Sequence, residues 1–85
     1  MLGAMLGTDA LLALAHAYGN ATGASTTTIS SRVFNDGKKL AAIEAGSDLY
    51  SGRLTRAVQW FSDNWPDGAE WPADVPRPAT NPVAA

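Results

Sequence analysis

Residues 18–31 read Tyr18-Gly19-Asn20-Ala21-Thr22-Gly23-Ala24-Ser25-Thr26-Thr27-Thr28-Ile29-Ser30-Ser31, and the rest of the chain is organised around them. Upstream, Leu11, Leu14, Ala15 and Tyr18 fall at i, i+3, i+4 and i+7, one face of a helix, and Leu12 widens the stripe. Thr8 suits the N-cap and Asp9 the positive end of the dipole. Gly19 and Asn20 weaken this helix, which is expected over residues 8–20, and Gly23 terminates it. Downstream, Ser25 offers a second N-cap. The β-branched run Thr26–Ile29 suits a strand by propensity, and an edge strand is the alternative there. Ile29 and Val33 lie four apart rather than two, and Asn35-Asp36-Gly37 closes the segment like a C-cap, so a short helix to Phe34 is preferred.

Further along, Lys38 to Ala45 carries Leu40 and Ile43 and predicts a third helix of about two turns, ended by Gly46. A connector, Ser47 to Gly52, holds Ser51 as the next N-cap. Leu54, Val58, Phe61 and Trp65 then form the clearest helical stripe, with Arg53, Arg56, Gln59 and Asp63 on the other face and Pro66 as terminator. All five prolines lie from Pro66 onward, so that stretch reads as an extended arm. Trp71 is expected to hold its first part against the domain, with Pro76 to Ala85 free of it. The expected organisation is a flexible start at 1–7, an all-α domain of four short helices at 8–65, and a proline-rich tail at 66–85.

Composition narrows the function classes. With 85 residues the chain has room for one small domain and a modest core. The absence of Cys excludes disulfides and thiolate metal sites, and a 46% apolar content fits a folded protein. No stretch is long enough to span a membrane, and no Lys or Arg precedes Arg32, so neither a membrane partner nor a secretory signal is expected. These features predict a cytoplasmic protein. The net charge of −2 conceals an asymmetry. The middle of the chain, Ser25 to Val58, is basic, while from Gln59 onward Arg77 faces four carboxylates.

Catalysis finds little support. His16 is the sole histidine, one step off an apolar helix face, where such a residue is ordinarily a boundary group. Ser25 to Ser31 has no nucleophile-elbow context, and no glycine-rich phosphate loop, HExxH or calcium-loop spacing occurs. The expectation is a non-enzyme without cofactor or metal.

The stretch 18–31 resembles the helix-turn-helix of phage repressors and related small bacterial regulators. In that family a small residue precedes the turn glycine by four, and a β-branched apolar residue follows it by six; Gly19, Gly23 and Ile29 hold those places. The small residue lets the second helix approach, the glycine permits φ > 0, and the isoleucine plugs the space between the helices. Gly19 stands where relatives usually carry Ala, and Arg32 where they carry an apolar residue, with Val33 one step on.

The resemblance implies double-stranded DNA binding by a transcriptional regulator of bacterial or phage kind, and a homodimer on a two-fold operator. Ser25, Thr26, Thr27, Ser30 and Ser31 are then the expected contacts to base edges or to nearby phosphates. Arg32, Lys38, Lys39, Arg53 and Arg56 are the expected phosphate contacts. Trp60 lies beside the last stripe and is expected to pack under the tail with Trp71 or in a dimer contact. The alternative is a helical adaptor or phage structural component that docks through its Trp-rich last helix and proline arm.

Overall fold

The computed structural model describes residues 7–79 and is all-helical: among the described residues there are four helices and no strand. In chain order these are α1 (Thr8–Thr22), α2 (Thr26–Phe34), α3 (Lys39–Glu44) and α4 (Ser51–Asp63). None of them is long and apolar enough to cross a membrane.

Helix α1 is the central beam. Ala10, Leu11, Leu14, Ala15 and Tyr18 are buried along one face, as the stripe requires, and pack on α4 and on the start of α2. Gly7, rather than Thr8, occupies the N-cap, and Thr8 is the first helical residue. The helix also continues past residue 20 to Thr22. Gly23 stops it with φ 78°, its amide bonding the Gly19 carbonyl at 2.8 Å. The Thr22 hydroxyl donates to Tyr18 O (2.8 Å) and accepts from the Ala24 amide (3.2 Å), tying the last turn to the connection.

Residues 26–34 form a helix despite their β-branched start. Ser25 caps it by accepting the Thr28 amide at 3.2 Å, and Asn35 closes it in the left-handed region, φ 58°. Packing favours the helix, because Ile29 reaches the core on one side only, 3% exposed. Helix α3 turns Leu40 and Ile43 inward.

In α4 the cap falls on Tyr50, not Ser51, which is the first helical residue. Phe61 is fully buried, Ala57 and Ser62 nearly so, and Leu54 and Val58 are half-buried along the same side. The helix ends at Asp63, before Pro66 restricts the backbone, with the Asn64 amide and its Nδ2 both donating to Trp60 O. Trp65 therefore continues the stripe from beyond the helix. Tyr18 knits the aromatic groups together, its ring 5.6 Å from both Phe61 and Trp60 in edge-on geometry. Trp60 thus joins Tyr18 and Phe61, while Trp71 packs on Trp65 at 4.9 Å.

The arm has no helix or strand from 66 to 79, yet it lies on α4 further than its proline content implies. Val75 is buried at 3%, and its carbonyl accepts the Trp71 indole N–H at 2.7 Å. Arg77, expected to be free of the domain, is instead tied to it. It donates through Nη2 to Ser62 O (2.9 Å) and through Nε to Ser62 Oγ (3.2 Å). Its guanidinium also lies 4.9 Å from the centre of the Trp71 ring. The Ser62 hydroxyl donates in turn to Pro78 O at 2.6 Å. Buried Ser62 is the reason: its hydroxyl and carbonyl find these partners in the arm. Of the expected flexible start at 1–7, Gly7 caps α1, while residues 1–6 and the arm beyond Ala79 lie outside the described residues.

Packing of this kind makes the core sensitive to truncation at either place. Phe61→Ala costs about 3–5 kcal/mol, enough to unfold a domain of this size, as thermal melting will show. Ending the chain after Val75 strips Ser62 of its arm partners. It lowers stability by about 1–3 kcal/mol, seen as a melting point lower by more than about 4 °C.

Candidate nucleic-acid interface

The site is built on the junction of α1 and α2. A Cβ placed on Gly19 would stand 3.3 Å from Ala24 O and 3.3 Å from Ile29 Cδ1, so the connection and Ile29 approach α1 more closely than most Cβ contacts allow, and a larger residue there would push them back by a few tenths of an ångström. Gly23 supplies the left-handed turn, and Ile29 fills the angle between the helices. This arrangement fixes which side of α2 looks outward. Ile29 and Ser30 are buried and Val33 is half-buried. Thr27, Thr28, Ser31 and Arg32 lie opposite them in helical register and are exposed.

The predicted base contacts divide accordingly. Ser25 and Thr26 are exposed at the start of α2, although the Ser25 hydroxyl is occupied with capping and with Thr28 Oγ1, 3.1 Å away. Thr27 and Ser31 are exposed one turn apart, flanking the loop that follows: a Cβ on Gly37 would lie 3.1 Å from Thr27 Cγ2 and 3.3 Å from Ser31 Oγ. Ser30 must be withdrawn from the set. It is fully buried, its hydroxyl donates to Asp36 O and accepts the Leu40 amide at 2.9 Å, and it joins α2 to α3. Register gives this away, because Ser30 lies next to Val33 and Ile29 on the inward side. Thr28, absent from the expected contacts, takes a central place on the outward face by the same geometry.

The predicted phosphate contacts occupy two regions. Lys38 is exposed just beyond α2, where its amide bonds Asp36 Oδ1 at 3.0 Å and so shapes the loop. Arg53 and Arg56 rise from α4 beside the end of α2. They line a small cleft with Val33 and Phe34, and the Arg53 guanidinium lies 5.6 Å from the centre of the Phe34 ring. Lys39 faces a second cleft, shared with Arg53. Arg32 stands apart: its Nη1 donates to the Tyr18 hydroxyl at 2.8 Å, which fixes the side chain along the outer edge of the α1–α2 junction. A tyrosine hydroxyl thus accommodates the arginine head at this junction.

On the opposite charge balance, Asp67, Glu70 and Asp74 are exposed on the arm. His16 is exposed and contacts Glu44 at 3.2 Å, linking α1 to α3 at the surface. Among the described residues no three His, Asp or Glu side chains come together as a metal site. Comparison of the chain with protein-family models, with curated proteins and with solved structures gives no match.

Ser30→Ala leaves the buried Leu40 amide without its partner and costs about 1–3 kcal/mol in urea unfolding. Any duplex preference of the folded protein stays as in the wild type, because the hydroxyl faces inward.

Proposed function

We propose that the chain is a double-stranded-DNA-binding domain of helix-turn-helix type, serving as a transcriptional regulator of bacterial or phage kind. The observation that carries this reading is the α1–α2 junction. The reading is supported by the tight contact at Gly19, the positive φ of Gly23 and the burial of Ile29, with α2 a short, capped helix whose outward face is polar. Hydroxyl side chains at Thr27, Thr28 and Ser31 are small enough for a major groove and can donate to or accept from base edges. Ser25 and Thr26 mark the end of α2 that enters first. Lys38 and Lys39 follow the helix, and Arg53 and Arg56 stand beside Val33 and Phe34 in its last turn, so four cations gather near the end of α2, which supports contacts to a phosphate backbone there. The carboxylates of the arm keep that side away from a polyanion.

An adaptor that docks through its tryptophans is less well supported. Trp60, Trp65 and Trp71 are half-buried against one another and the core, and two of their indole N–H groups already bond arm carbonyls.

Binding of random duplex at two salt concentrations separates the two readings, since only a phosphate-contacting surface weakens steeply with salt. Replacing Lys38 and Lys39 by Ala weakens binding to all duplexes alike and flattens the salt slope by up to about two units. Replacing Thr27 and Ser31 by Ala instead changes the ranking of sequences, by about 1–3 kcal/mol for each well-formed base contact that the hydroxyl makes. If both double variants keep their fold and neither alters binding, the DNA reading is wrong.

A further inference from the structure

Tyr50 stands out on the surface. It is 75% exposed, the large apolar residue most open to solvent among those described. It occupies the N-cap of α4 in extended conformation, φ −61° and ψ 149°, without a capping hydrogen bond from its side chain. Neither the core nor the helix start explains the ring.

Its surroundings do. Tyr50 lines a cleft of about 640 Å³ together with Lys39, Arg53 and Asp48, and with Gly7 and Thr8 at the start of α1. Two cations against one carboxylate leave the cleft net positive. The beginnings of α1 and α4 meet there; Asp9 answers the dipole of α1, whereas α4 has neither a side-chain cap nor an acidic residue in its first turn, so its dipole adds to that sign. Arg53 is held in place by the Phe34 ring. An aromatic ring with a terminal hydroxyl beside two cations matches a sugar–phosphate unit, which offers an apolar sugar face next to an anion.

We propose that this cleft seats one phosphodiester of the bound duplex, with Lys39 and Arg53 taking its charge and the Tyr50 ring lying on the adjoining deoxyribose. The proposal rests on the DNA reading and adds to it an uncharged contact outside α2. Arg53 ties the cleft to α2, since it lines this cleft and also the small one beside Val33 and Phe34 at the end of α2.

The test uses the full chain and a labelled duplex, with affinity read by fluorescence anisotropy over a range of salt. Circular dichroism serves as the fold control. Tyr50→Ala is expected to weaken binding about fivefold on every duplex sequence, because the ring no longer covers the sugar, without changing the salt slope. Lys39→Ala is expected to flatten the slope by about one unit. The proposal is overturned if folded Tyr50→Ala binds like the wild type while the Thr27/Ser31 variant changes sequence preference; the DNA reading then survives without the cleft. A Tyr50→Ala loss confined to particular sequences also overturns it, since the ring would then be reading a base. Failure of the wild type to bind any duplex at low salt overturns the DNA reading, and the cleft proposal with it.

Discussion

The close approach of the α1–α2 connection and of Ile29 to Gly19 sets how α2 sits against α1. With Ala24 O and Ile29 Cδ1 both 3.3 Å from where a Cβ would be, the angle and depth of α2 against α1 leave little latitude. Ile29 can then reach the core beside Tyr18, and Tyr18 in turn meets Phe61 and Trp60 on α4. A glycine in a helix costs about 1 kcal/mol relative to alanine, so its presence in the last turns of α1 is explained by packing rather than by propensity. The same approach pushes the polar side of α2 outward.

A second joint holds the other flank of α2. The Ser30 hydroxyl donates to Asp36 O in the connection and accepts from Leu40 N, a buried amide at the start of α3 that has no partner within that helix. Between these two joints α2 is anchored on both flanks, and tertiary packing rather than intrinsic helical preference supports its nine residues. Rigid mounting of a polar helix is what sequence readout requires, because base-edge hydrogen bonds tolerate little misplacement. The cations and carboxylates follow the same division, with Lys38, Lys39, Arg53 and Arg56 near α2 and Asp67, Glu70 and Asp74 on the arm.

The four helices are legible in the sequence because their apolar spacings are strong, and Gly23, Ser25 and Pro66 are clear punctuation. What the sequence conceals has definite physical causes. Residue type puts the caps of α1 and α4 on Thr8 and Ser51, one residue late, because hydroxyl residues are the usual caps. Here Gly7 and Tyr50 fill the position without a capping side chain. The prolines of the arm rule out helix but say nothing of docking. Val75 joins the core cluster, and Arg77 bonds Ser62 from 15 residues away in sequence. Ser30 qualifies as a base contact by residue type alone, whereas its register turns it inward. Tyr50 carries no sequence signal, since a lone tyrosine in a connector has no periodicity to betray its exposure.

Whether the outward face of α2 meets DNA is decided most directly by amide chemical-shift mapping of the labelled protein during titration with duplex. The largest shifts are expected on Thr26 to Arg32 and on Lys38 and Lys39, with the arm amides from Asp67 to Asp74 unmoved. Shifts concentrated around Trp60, Trp65 and Trp71, or none anywhere at low salt, would contradict DNA binding through α2.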